Sequence, residues 1–408
     1  MKQQALIPHL FRTEYSKIVT VLCKRFGIAH IEVAEDIASE TFLLALEIWP
    51  FKGVPDNPTA WLHTVAKNRT KNYLNRHHLF HEKINSQMQH TVPEMQHIEI
   101  DLSEHNIVDS QLQMLFTLCD PIISAEAQIG LSLRVLCGFG IDEIANAFLT
   151  NKETVNKRLF RAKEKLRLEK VPIEFPKSSE IDKRLDAVLT ILYLLFNEGY
   201  YSESKDAVLR EDLCLEAMRL TYFLIKNKQT NLTQVNALFA LMCFHASRFG
   251  TRKNENGEVI LYQDQDESQW NKKLIYKGIY YLKQASQGTK LSKYHLEANI
   301  AYWHTIKADK KEKWENILQL YNQLLVLEYS PIAALNRTYV LSKVKSKAEA
   351  ILEAQKLQLT NNPFYFSLLG ELYRGIDNDQ AKQNFKRALQ LAKTSTDKQT
   401  LQRYIDEL

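Results

Sequence analysis

Glycine is scarce: the chain has 12 among 408 residues, where an average composition would supply about 29. Proline is thin as well, at 10. Tight turns need positive or preset φ at defined positions, so this scarcity argues against a sandwich or barrel of many short strands. It also leaves no phosphate-cradling loop. Gly138-Phe139-Gly140 runs to no third glycine, and Gly375 is followed by Ile376-Asp377 rather than Lys-Ser/Thr. Five scattered cysteines (Cys23, Cys119, Cys137, Cys214 and Cys243) contain no CxxC pair and read as reduced thiols of a cytoplasmic protein. No run of about 18 uncharged apolar residues is present, and the opening MKQQALIPHLFRTEYSK has no continuous apolar segment before a small-residue cleavage site. Neither a membrane span nor export is expected. His77 and His81 stand four apart, but Asn85 occupies the place where HExxH needs histidine, and no third ligand is evident. No metal or cofactor is expected, and without GxSxG or a thiol in a triad context no enzyme is expected either.

What is abundant is Leu, Ala, Lys, Glu and Gln, the residues of helices. Hydrophobic residues make up 45% and charged ones 25%, enough to bury a sizeable core. An all-α chain of two or three domains is expected. The net charge of +5 conceals a sharp segregation. Residues 32–56 hold six acids (Glu32, Glu35, Asp36, Glu40, Glu47 and Asp56) against the single base Lys52. Residues 67–83 hold Lys67, Arg69, Lys71, Arg76 and Lys83 against Glu82, and residues 152–170 hold eight bases against three acids. Such runs are commonly solvated helix faces; together they also suit a protein that meets both an anion and a basic partner.

Along 31–48, Ala34, Ile37, Ala38, Thr41 and Ala45 recur at helical spacing, leaving Glu35, Asp36, Ser39 and Glu40 outside. Residues 49–58, WPFKGVPDNP, read as a loop whose Asn57-Pro58 end starts a new helix. In that helix Trp61, Leu62, Val65, Ala66, Arg69 and Tyr73 lie inward or at the edge, and Lys67, Asn68, Lys71, Asn72 and Asn75 form the other face. Residues 82–108 are polar and weakly periodic, as in a linker.

A second helical unit is expected from about 109 to 169. Ile141, Ile144, Ala145 and Phe148 mark a short helix, and Val155, Leu159, Ala162 and Leu166 mark a longer one. Thr150 and Glu153 read as a capping box between them. Lys152, Asn156, Lys157, Arg158 and Arg161 point away from the stripe. This pattern describes a helix-turn-helix whose basic second helix suits DNA, through counterion release and base-edge contacts. Gly is absent from its turn, which reads Phe148-Leu149-Thr150.

From 171 to the end the chain is again helical in pattern. Phe196-Asn197-Glu198-Gly199-Tyr200-Tyr201 closes an apolar segment, with Gly199 suited to a C-cap. Asn197, Glu198, Gly199 and Tyr200 read either as a cap with aromatic packing or as a regulatory motif. Ile332, Leu335 and Tyr339 recur 34 residues later as Phe366, Leu369 and Tyr373, followed by Ala381, Phe385 and Ala388. That approximates a tetratricopeptide repeat.

Taken in order, these motifs resemble an extracytoplasmic-function (ECF) RNA polymerase sigma factor. AEDIASETF (34–42) and NPTAWLHTVAKNRTKNYLNR (57–76) resemble region 2. SAEAQIGLSLRVLCGF (124–139) and DEIANAFLTNKETVNKRLFRAKEKLR (142–167) resemble region 4. LYLLFNEGYY (192–201), DQDESQW (264–270) and SPIAALNRTYVLSK (330–343) resemble the extension of one group of these factors. The resemblance implies region 2 at 1–80, a linker at 81–108, region 4 at 109–170 and a regulatory helical domain at 171–408. It implies core RNA polymerase binding through Glu35, Asp36, Ser39 and Glu40. It implies −10 contacts through Trp61, Lys67, Asn68, Lys71, Asn72 and Arg76, with Trp61 either stacking on a base or buried. It implies −35 contacts through Lys152, Thr154, Asn156, Lys157, Arg158 and Arg161. The linker acids Glu94, Glu99, Asp101 and Glu104 would run toward the polymerase cleft, and the extension would modulate activity by contacting the sigma domains or polymerase. A conventional helix-turn-helix regulator with a helical sensory domain and a tetratricopeptide scaffold without a DNA role are the alternatives. The region-2-like helix pair counts against both.

Overall fold

The computed structural model describes residues 3–85, 100–148, 150–201, 207–252, 260, 262–392 and 395–408. Among them are eighteen α-helices and no strand, so the fold is all-α. Two units follow from the contacts within the chain, Met1–Gly199 and Tyr200–Leu408.

The first unit contains α1 (Gln3–Phe26), α2 (Ile31–Lys52), α3 (Pro58–Asn85), α4 (Glu104–Leu118), α5 (Ala125–Leu131), α6 (Ile141–Ala147), α7 (Lys152–Leu168) and most of α8 (Ile181–Tyr201). A π-type stretch, Ser132–Leu136, follows α5. α1 buries Tyr15, Ile18, Val19, Leu22 and Cys23 and packs against both α2 and α4. Burying side chains of this size contributes about 1.5–3 kcal/mol each. Two polar links reinforce the α1–α4 contact. Gln111 Nε2 donates to Ser16 Oγ at 3.1 Å, and Lys24 Nζ donates to Asp109 Oδ2 at 2.5 Å.

The expected apolar stripe of α2 is buried in full: Ala34, Ile37, Ala38, Thr41 and Ala45 all face the core. The helix runs further than expected, through Lys52, so residues 49–52 are not loop. Pro50 removes one donor in the last turn only, while Trp49 is anchored in the core at 2% exposure. Gly53, at φ +82, then ends the helix, its N–H donating to Trp49 O at 3.0 Å. A side chain would be strained at that φ. Pro58 opens α3 as expected, with Asn57 Oδ1 accepting from Ala60 N at 3.0 Å. α3 continues to Asn85 and α4 begins at Glu104 behind the Ser103 N-cap, so helix occupies both ends of the expected linker. Glu94 and Glu99 lie outside the described residues, as do the side chains of His77 and His81.

In α7 the expected stripe Val155, Leu159, Ala162 and Leu166 is buried. The cap is Asn151 rather than Thr150. Asn151 is extended, and its Oδ1 accepts from Thr154 N at 2.8 Å, taking the place assigned to the threonine. Beyond α7 the chain stays with the first unit. Thr117 Oγ1 donates to Pro172 O, Phe116 and Phe175 rings lie 5.2 Å apart, and Arg184 Nη2 donates to Phe116 O at 2.7 Å. These contacts hold residues 172–184 to the first unit, which runs to Gly199.

The second unit holds α9 (Ala207–Lys226), α10 (Thr233–Ala246), α11 (Lys272–Ala285), α12 (Lys293–Trp303), α13 (Lys311–Leu327), α14 (Pro331–Val344), α15 (Lys347–Lys356), α16 (Pro363–Tyr373), α17 (Asn378–Leu391) and α18 (Ser395–Asp406). α10 is buried on nearly every face and packs against α9, α11 and α12, as an all-round apolar helix must. From α12 onward three core clusters follow one another. Leu335 and Leu369, equivalent in the 34-residue pattern, share the middle cluster. Phe366 and Tyr373 pack against both the middle and the last.

Candidate functional site

The acidic positions of α2 do not share one environment. Asp36 and Glu40 are exposed and Ser39 is half-buried, but Glu35 is 7% exposed. Its carboxylate accepts from Arg134 Nε at 3.1 Å and from Lys163 Nζ of α7. The sequence pattern placed Glu35 outside. The structure turns it inward because two bases, 99 and 128 residues away, supply the counter-charge that burial demands. Periodicity within α2 cannot show a partner so remote, and Arg134 and Lys163 were missed for the same reason.

The two expected surfaces of residues 31–76 meet in one open groove of about 830 Å³ between α2 and α3. Asp36 and Glu40 line it from α2, and Asn68, Asn72 and Arg76 line it from α3. Arg69 bridges the helices by pairing with Glu40, and Val33, Ile37, Leu44, Val65 and Tyr73 supply apolar lining. Lys71 is exposed and Lys67 half-buried, both outside the groove lining. Trp61 is half-buried and meets the buried Trp49 edge-to-face, centroids 5.3 Å apart at 64°. Beneath α3, His63 Nε2 lies 3.2 Å from the buried Glu14 carboxylate, which also accepts from Lys17 Nζ at 2.7 Å. Burial pushes the Glu14 pKa up, but these two hydrogen bonds outweigh it and hold the group below the ordinary carboxylate value.

On α7, Lys152, Asn156, Lys157 and Arg161 are exposed, and Thr154 and Arg158 are half-buried. Lys152 pairs with Asp142 at 2.9 Å, and Arg158 lies 3.7 Å from Glu126. Most of this basic face is therefore open, with contacts of the exposed kind that give way at little cost. The motif Asn197 to Tyr200 straddles the division of the chain. α8 continues through Gly199 to Tyr201, so Gly199 sits within the last helical turn and is not a C-cap. Tyr200 is buried, with its ring 4.5 Å from His245 and the Arg252 guanidinium 3.8 Å above it.

All five cysteines are buried, and none forms a disulfide. Burial lifts the thiols of Cys119 and Cys243 to about 12, which keeps them inert. No helix among the described residues is long and apolar enough to cross a membrane.

Residues 10–79, the α1–α3 segment that forms the groove, match Sigma-70 region 2. Along nearly its whole length the chain is similar to an uncharacterized protein, R00370, of Rhizobium meliloti (strain 1021). The two are 30% identical over 395 residues, covering 93% of this chain and 90% of that protein. The chain carries a sigma-70 region 2, which supports a sigma-70 family factor. Residues 184–286 match a family of unknown function, DUF6596. No solved structure matches the chain. Region 2 thus supplies a groove with carboxylates on one wall and amide and guanidinium groups on the other. Carboxylates suit a basic protein surface; Asn and Arg suit phosphates and base edges.

Proposed function

We propose that the chain is an ECF-type sigma factor, a non-enzymatic specificity subunit that binds core RNA polymerase and directs promoter-specific initiation. The observation that carries this reading is the groove of region 2, where Asp36 and Glu40 face Asn68, Asn72 and Arg76 across α2 and α3. In this reading Asp36, Glu40 and Ser39 dock on polymerase. Asn68, Asn72 and Arg76, with Lys67 and Lys71 nearby, take the −10 element. Melting there needs a site for an extruded base and a basic track for the separated strand. α7 takes the −35 element through Lys152, Thr154, Asn156, Lys157, Arg158 and Arg161, the residues on its solvent side. The second unit modulates activity through its stacked helices, whose successive cores favour a tetratricopeptide-like arrangement.

Co-elution tests the reading. The full chain should travel with sigma-free core polymerase on size exclusion, and D36A/E40A should reduce that association at least tenfold. Failure of the wild-type chain to bind core, with tight binding to duplex DNA alone, would instead support a conventional helix-turn-helix regulator.

A further inference from the structure

Arg248 follows the C-cap of α10 and is 9% exposed. Its guanidinium lies 5.6 Å from the ring centre of Tyr262 and 5.9 Å from that of Trp270. Among the described residues it forms no ion pair and no side-chain hydrogen bond, and its Nε is closed off from solvent without an acceptor. Lys313, in the first turn of α13, is 2% exposed. Its Nζ donates to Tyr262 Oη at 2.9 Å and to Ile306 O at 2.5 Å, both neutral oxygens. The His304 ring lies 5.2 Å from that of Tyr262 and 6.0 Å from that of Trp314, and its Nδ1 is likewise buried without a partner among the described residues.

Burial of two cations with no carboxylate at ion-pair distance among the described residues is costly. Rings 5.6 and 5.9 Å from Arg248, and 4.9 and 5.1 Å from Lys313, offset part of it without neutralising either charge. The neighbouring groups register the excess of positive charge. Burial, Arg248 and Lys313 together hold His304 down to about 3. Burial brings Lys313 down to about 8; Asp309 pulls the other way, and Arg248 adds to the lowering. Asp309 itself is exposed and accepts the Trp314 indole N–H. Among the described residues, what Arg248 lacks is an acceptor with two or more oxygens and a negative charge, the complement of a planar guanidinium fork.

We propose that Arg248, Lys313 and His304 form a binding site for the oxyanion group, phosphate or carboxylate, of a small molecule, flanked by Tyr262, Trp270 and Trp314. The site lies wholly within the second unit, so it stands or falls independently of how region 2 acts.

The test is the melting temperature of the full chain at constant ionic strength, with sodium chloride replaced stepwise by sodium phosphate in one series and sodium acetate in another. A saturable rise in Tm is expected in at least one series. A rise with phosphate alone assigns a phosphate group, and a rise with acetate alone a carboxylate. R248M, which keeps an unbranched apolar stem and removes the charge, should lose the rise. In chloride R248M should melt at or above wild type, because an uncompensated buried charge has been removed. K313M should also lose most of the rise, while R248K keeps part of it. No oxyanion-dependent shift in wild type, an undiminished shift in R248M, or an R248M that unfolds or melts below wild type in chloride would each overturn the proposal. The last result would mark Arg248 as a structural side chain.

Discussion

Glu35 of α2 accepts the Arg134 Nε–H at 3.1 Å and is 7% exposed. Lys163 of α7 donates to the other oxygen of the same carboxylate, and Glu32 lies 3.9 Å from that ammonium. One acid of region 2 therefore ties α2 to both the segment after α5 and the basic helix α7. A polymerase surface that uses Glu35 must first break this pair; one that uses Asp36 and Glu40 need not.

E35Q should destabilise the first unit. Removing one partner of a buried pair leaves the other charges unmatched, at about 3–5 kcal/mol when fully enclosed. Arg134 and Lys163 retain some solvent, so roughly 2 kcal/mol is expected. Urea unfolding followed at the first transition checks the value, and an unchanged midpoint would remove Glu35 from the clasp.

Substitution on the solvent side of α7 should act on DNA binding alone. R158A and R161A should each weaken binding to −35 duplex and lower the salt slope by about one if a phosphate contact is lost. Fluorescence anisotropy over a salt series reads the slope directly. Folding should be unaffected, since neither residue belongs to the buried stripe of Val155, Leu159, Ala162 and Leu166.

Gly370 of α16 faces Phe385 of α17 so closely that an added Cβ would stand 2.7 Å from the ring. G370A should therefore cost about 1–3 kcal/mol by overpacking, although alanine is the better helix former. Thermal unfolding of the full chain checks this through its effect on the second unit. A stabilised variant would show that the two helices yield freely.

Lys313 carries a pH dependence with a defined sign. Its folded pKa is lowered to about 8 from an ordinary value of 10.5. Below pH 8 both states are protonated and the folded state bears the whole penalty. Between about 8 and 10.5 the unfolded chain binds more protons, so stability rises with pH through that window. Wild type should gain on K313M between pH 8 and 10, measured by urea midpoints at both values; a constant difference would contradict the shift.

The sequence made the repetitive features readable. Ala34 to Ala45 and Val155 to Leu166 follow a 3.6-residue period, and burial matches it position by position. Leu335 and Leu369 were readable from the 34-residue offset for a similar reason. Glu35 was not, because its burial depends on Arg134 and Lys163 and no local pattern in 31–48 marks that. The helix cap moved from Thr150 to Asn151 because both residues can serve and only the backbone decides which one is extended. Gly199 carried a cap's composition but lies inside α8. Arg248 gave no signal as one base in an apolar stretch; its significance lies in what surrounds it after folding.

The central claim is that this chain converts core RNA polymerase into a promoter-specific enzyme. Run-off transcription tests it most directly, with purified full-length chain, sigma-free core polymerase and a library of promoter fragments from the chain's own genome. The expected result is initiation at a defined subset of fragments that depends on the added chain and falls sharply with D36A/E40A. Equal transcription with and without the chain, at every fragment and at saturating protein, would contradict the account.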